Sequence, residues 1–161
     1  MGREVERKYL VKNDLWRREA DRGIEYRQGY LCLDPRRGVR VRLGGEKAIL
    51  TVKGQSEGSA RDEFEFPIPA ADAEELLERI CIQPIIEKTR YQVHRGDLTW
   101  EIDEFAGENR GLLIAEVETD KPPQQIPVPE WAGEDVTDDP RYFNTHLVKQ
   151  PYSQWKQPVG T

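Results

Sequence analysis

The chain is short of the residues that build most redox and transition-metal centres. Of its 161 residues only two are cysteine, two histidine and one methionine. Cys32 and Cys81 lie far apart and neither belongs to a Cys-x-x-Cys pair, so both read as free thiols rather than parts of a disulfide or a zinc site. His94 and His146 are equally unaccompanied, which argues against an imidazole metal centre. No apolar run approaches the about 20 residues needed to cross a bilayer, and no apolar leader opens the sequence. The expectation is a soluble, cytoplasmic protein with no membrane partner. Basic residues are in deficit, 24 Lys and Arg against 30 Asp and Glu for a net charge of −6. A general nucleic-acid binder would carry the opposite balance.

What the chain does have is charge arranged in alternation. Charged residues make up 34% and hydrophobic residues 37%, yet four Trp, six Tyr and four Phe fall inside regularly patterned segments. That composition fits a folded, unusually polar protein, read as one domain over residues 1–161.

Eight segments read as strands: residues 1–11, 24–33, 39–43, 47–53, 61–67, 85–94, 98–105 and 112–119. Side chains alternate across a strand, so charged residues at i and i+2 share a face. Glu4, Glu6 and Lys8 form one such row opposite Tyr9 and Val11. Arg40 and Arg42 oppose Val39, Val41 and Leu43. Lys53 ends the next strand, which follows the Gly44-Gly45 hairpin signal. Arg61, Glu63 and Glu65 oppose Phe64 and Phe66. Lys88 and Arg90 oppose Thr89, Tyr91 and Val93. Glu101 and Asp103 oppose Trp100 and Ile102, and Glu116 and Glu118 oppose Ala115 and Val117.

Between these segments, residues 12–22 read as a loop and 55–60 as a Gly/Ser-rich loop. Residues 69–80 give the clearest helix, with Leu76, Leu77 and Ile80 as its apolar stripe. The Pro-rich stretch 121–130 carries no readable element. Asp138 to Val148 reads as a short terminal helix with Pro140 in its first turn. The set fits a mainly β, α+β fold in which an antiparallel sheet curls or closes.

The polar faces admit two explanations. They are either solvated outer surfaces, where ion pairs contribute about 0–1 kcal/mol each, or the lining of a tunnel that holds a polyanion with its metal ions. Pattern alone leaves both open. Two details favour the tunnel. Arg outnumbers Lys on the basic strands, which suits forked recognition of phosphate oxygens. Paired carboxylates about 6.5–7 Å apart along a strand can share hard divalent cations that phosphate and water also ligate.

The ordered set Glu4-x-Glu6-x-Lys8, Arg40-x-Arg42, Lys53, Glu63-x-Glu65, Lys88-x-Arg90, Glu101-x-Asp103 and Glu116-x-Glu118 resembles the CYTH family of triphosphate tunnel metalloenzymes. That name joins class IV adenylate cyclase with thiamine triphosphatase. Arg27-Gln-Gly-Tyr-Leu31, the run Glu87 to Tyr91 and Arg141-Tyr-x-Asn144 resemble its small bacterial members, commonly inorganic triphosphatases.

The resemblance implies an eight-stranded antiparallel β-barrel forming a polar tunnel, with flanking helices and a C-terminal plug. It implies metal-dependent hydrolysis of a small-molecule triphosphate, foremost inorganic tripolyphosphate to pyrophosphate and phosphate. Magnesium or manganese, in a two-metal site, would be held by Glu4, Glu6, Glu63, Asp103, Glu116 and Glu118. Lys8, Arg40, Arg42, Lys53, Arg61, Lys88, Arg90 and Arg141 would grip the substrate, with Glu116, Lys8 and Arg40 catalytic. Glu65 and Glu101 are expected to pair with neighbouring arginines. Hydrolysis of a nucleoside or thiamine triphosphate, ATP cyclisation, and polyphosphate binding without turnover stay open, as does a homodimer.

Overall fold

In the computed structural model, which describes residues 5–55, 57 and 61–155, each of the eight strands expected from the alternation is present, with a ninth added. β1 is Val5–Val11, β2 Ile24–Cys32, β3 Arg37–Gly44, β4 Lys47–Gly54 and β5 Glu63–Ile68. β6 is Ile86–Arg95, β7 Leu98–Phe105, β8 Leu113–Thr119 and β9 Ala132–Asp135. All nine join one sheet in the order β5-β4-β3-β2-β6-β7-β8-β1-β9, and every pairing is antiparallel.

Two differences from the expected eight-stranded barrel have physical causes. The Pro-rich stretch buries Ile126 and Trp131 and then supplies β9, whose four residues are too few to show a period of two. Among the described residues β5 and β9 do not pair, so the hydrogen-bonded ladder is not closed. The sheet is nonetheless curled into the barrel-like form. Leu10, Tyr30, Ile86, Phe105 and Ile114, from β1, β2, β6, β7 and β8, meet in one cluster around Leu147 and Val148.

Alternation sorts the remaining side chains onto a convex face with two apolar covers. Tyr9, Val93, Trp100, Ile102, Ala115 and Val117 pack beneath Trp16, Ile126 and Trp131. Trp16 sits in a 3-10 turn, Leu15–Arg18, inside the segment expected to be an open loop. Val41, Leu43, Ala48 and Leu50 pack beneath Ala73, Leu77 and Cys81. Ala73 belongs to α1, Ala70–Glu75, Leu77 to the π-type turn Leu76–Ile80 that continues it, and Cys81 follows that turn directly. The wider turn departs from a 3.6-residue period, and Ile80 stands in solvent while Ala73 takes a place in the apolar stripe. Phe64 and Phe66, on the outer face of the edge strand β5, are left exposed. Cys32 and Cys81 are free thiols.

The terminal helix is broken. Pro140–Tyr142 forms a 3-10 turn, Phe143 is extended, and α2 spans Asn144–Lys149. Leu147 and Val148 drive α2 into the concave end of the sheet, where it plugs the tunnel. Among the described residues no helix is long and apolar enough to cross a membrane.

Candidate functional site

The site follows from strand register. On the concave face Glu6 stands opposite Glu118 and Lys8 opposite Glu116, across β1 and β8. Glu101 pairs with Glu116 across β7 and β8, and Arg90 with Asp103 across β6 and β7. On the other flank Gln28 pairs with Arg42 and Tyr30 with Arg40 across β2 and β3, while Lys53 faces Glu63 across β4 and β5. The i and i+2 rows thus become a two-dimensional lattice. Acids dominate on β7 and β8, bases on β3, β4 and β6, and β1 carries Glu6 and Lys8 side by side.

On the acidic flank Glu6, Glu101, Glu116 and Glu118 line a cavity of about 410 Å³, with Asp97 at its rim. Glu116 is buried, 3.9 Å from Lys8 Nζ and 4.0 Å from Arg90 Nη2. Burial pushes its carboxyl up to about 7, the charges of Asp103 and Glu6 adding to the effect against Lys8 and Arg90. Its negative charge is therefore under-compensated. Among the described residues no three His, Cys, Asp or Glu side chains already converge at metal-binding spacing. The donor chemistry still fits a hard divalent cation, because five carboxylates line the cavity beside the neutral oxygens of Gln92 and Thr99, and a cation there would relieve the Glu116 charge.

Asp103 is placed differently from the other acids. Lys88 Nζ donates to Oδ2 at 2.8 Å, Arg90 Nε to Oδ1 at 2.7 Å and Arg90 Nη2 to Oδ2 at 2.9 Å. Burial alone would raise this carboxyl, but Lys88 and Arg90 outweigh it and hold it down at about 2. Both oxygens are therefore engaged by cations. Glu101 also meets Arg90, at 3.3 Å. The arginine expected of Glu101 is thus present, although the same carboxylate lines the acidic cavity.

The basic flank shows the complementary imbalance. Arg42 is driven below its ordinary pKa by burial and then by the charges of Arg40 and Arg90. Lys53 is lowered by burial, with Arg40, Arg61 and Arg42 outweighing the help of Glu63. Arg42 Nε donates to Gln28 Oε1 at 3.2 Å, and Arg40 Nη2 to Thr51 Oγ1 at 3.4 Å. Neutral groups hold both arginines in place.

Several expected members sit apart. Glu4 lies outside the described residues, as do residues 56 and 58–60 of the loop before β5. Glu63 is exposed on the edge strand and does not line the acidic cavity. Arg61 donates to the Gly54 carbonyl at 2.7 Å. Arg141 is paired with Asp139 and stacked on Tyr142 and Trp155, so it is not among the tunnel cations. The plug reaches the site through Phe143 instead, whose ring centroid lies 5.2 Å from Lys8 Nζ.

Sequence reasoning passed over Gln28 and Thr51, both fully buried between the charged rows. The available signal was their register. Gln28 lies at i+2 from Tyr26 and i−2 from Tyr30, on the face that pairs with the arginines.

Comparison with known proteins is consistent along almost the whole length. The CYTH domain profile matches residues 2–146. The inorganic triphosphatase of Acetivibrio thermocellus is 47% identical over 157 residues, covering 98% of this chain and 100% of that protein. The inorganic triphosphatase of Nitrosomonas europaea is 35% identical over 151 residues, covering 90% and 96%. The crystal structure of the inorganic triphosphatase NE1496 superposes with a TM-score of 0.72 at 33% identity, covering 92% of this chain and 95% of that one.

Proposed function

The chain belongs to the CYTH domain family, and we propose from that premise that it is a metal-dependent hydrolase of inorganic tripolyphosphate, releasing pyrophosphate and phosphate. One observation carries the reading. Charges of both signs lie side by side on one concave face, and although Lys88, Arg90 and Asp103 satisfy one another, each flank keeps a group that its neighbours leave under-compensated. Arg42 and Lys53 are depressed mainly by burial and by their cationic neighbours, whereas the Glu116 carboxyl is pushed up to about 7. A metal-free anion would satisfy the bases alone, and a lone cation the acids alone. A triphosphate carrying divalent metal satisfies both.

In this reading Lys8, Arg40, Arg42, Lys53, Lys88 and Arg90 hold the phosphate oxygens and offset the charge that develops on them during transfer. Arg61, near Lys53 at the tunnel edge, serves as an outer contact. Asp103 orients Lys88 and Arg90 through its three hydrogen bonds. Glu6, Glu116 and Glu118 hold the metal, magnesium or manganese, with Glu4 extending the same row by sequence alternation. Bound there, the metal supplies charge neutralisation and a water acidic enough to act as nucleophile near neutral pH. Glu116 lies between Lys8 and Arg90 and joins the two flanks, so its ionisation couples metal binding to the phosphate grip.

The test is phosphate release from tripolyphosphate, ATP and pyrophosphate, each with and without magnesium or manganese. Metal-dependent release from tripolyphosphate, with pyrophosphate spared, is expected. A strong preference for ATP, or no release from any of the three, would overturn the proposal.

A further inference from the structure

Tyr26 lies on the concave face of β2, in register with Gly44 on β3 and with Lys88 on β6. Its ring occupies space that any side chain at position 44 would take. A Cβ added to Gly44 would sit 2.1 Å from Tyr26 Cε1 and 2.3 Å from Cδ1. The glycine is therefore a notch that seats the ring against the β3 backbone.

Seated there, the ring has a guanidinium from each neighbouring basic strand. Its centroid is 5.5 Å from Arg42 Cζ and 5.9 Å from Arg90 Cζ. Arg90 is separately anchored on Asp103, whereas among the described residues Arg42 hydrogen-bonds the neutral oxygen of Gln28 and no carboxylate. Two half-buried like charges repel, and without an anion between them the less tethered one would swing away. An aromatic face attracts a cation through its quadrupole, an interaction that strengthens where water is displaced. A leucine would fill the same notch and lack that attraction.

We propose that Tyr26 is a positioning residue for polyphosphate, its Gly44-seated ring holding the guanidiniums of Arg42 and Arg90 apart and facing the tunnel before the anion arrives. The inference rests on the triphosphatase reading above and deepens it. An aromatic side chain on a strand ordinarily packs into a core. The geometry gives Tyr26 a role toward the phosphates instead.

The test compares Tyr26→Leu, Tyr26→Phe, Gly44→Ala and the Tyr26→Leu/Gly44→Ala double variant, using tripolyphosphate with magnesium and a thermal melt of each protein. Losing two cation–π contacts is expected to raise KM about tenfold in Tyr26→Leu. A loss of ground-state grip leaves kcat within about threefold. Tyr26→Phe keeps the ring and restores KM. Gly44→Ala displaces the ring without removing it, so it raises KM too and adds nothing in the Tyr26→Leu background. Gly44→Ala also carries the test if Tyr26→Leu fails to fold. Parental KM in Tyr26→Leu, equal damage from Leu and Phe, or multiplying effects in the double variant would each overturn the assignment. If the parent does not hydrolyse tripolyphosphate, the activity reading fails separately. Calorimetric binding of tripolyphosphate to the same four variants then decides the role of Tyr26.

Discussion

Lys88 Nζ lies 2.8 Å from Asp103 Oδ2, with both side chains almost wholly withdrawn from solvent. Removing one partner of such a pair leaves the other buried and uncompensated, at a cost of about 3–5 kcal/mol. Asp103→Asn is therefore expected to destabilise the protein by that order in urea unfolding at pH 7. The Asp103 carboxyl is held at about 2 in the folded state against an ordinary 3.8. The folded state thus binds fewer protons, and the contribution is present above the ordinary value and lost as pH falls through it toward about 2. Acid titration of stability should show that loss in the parent and a smaller one in Asp103→Asn.

Glu116 works in the opposite sense. Its carboxyl stays protonated up to about 7 in the folded protein, against an ordinary 4.5. Between those values the folded state binds the extra proton, so this group lowers stability as pH rises through the window. Glu116→Gln, which keeps the shape and removes the charge, should flatten that part of the stability profile. Thermal melts from pH 4 to 8 in chelator check it, and an unchanged slope in the variant would contradict the assignment.

The architecture was readable because the charged rows and the apolar rows keep the same period of two. A sheet with one covered face needs that alternation, and β1 through β8 each show it. β9 escaped because four residues after a Pro-rich stretch carry almost no period, and its place is fixed by pairing with β1. Ile80 was misplaced because a π-type turn alters the helical repeat. Within the site, sequence could pick out Lys88 and Asp103 but not their mutual engagement, which depends on which strands become neighbours. Gln28 was missed for a related reason: a neutral side chain among charges gives no signal until register sets it against Arg42.

The acidic cavity gives the metal prediction. Glu6→Gln and Glu118→Gln each keep volume while removing one carboxylate from the wall that also holds Glu101 and Glu116. Each is expected to lower tripolyphosphate turnover at limiting magnesium by about 10–100-fold, with partial recovery as magnesium is raised. Steady-state assays across a magnesium series check this. Turnover near that of the parent at every concentration would sink the role given to these residues.

The plug gives a prediction about the fold. Leu147 of α2 is fully buried, packed with Tyr30, Ile86, Phe105 and Ile114 at the concave end of the sheet. Helix α2 has only six residues and no side-chain hydrogen bond at its N-cap, so its own propensity contributes little. Its place must come from the apolar contacts of Leu147 and Val148. Leu147→Ala is expected to cost about 2–5 kcal/mol in chemical denaturation. Hydrogen exchange should quicken first in α2. A Leu147→Ala protein that keeps parental protection in α2 would show that the plug is held by Trp155, on which Tyr142 and Tyr152 pack edge-on with ring centroids 5.4 and 4.9 Å away.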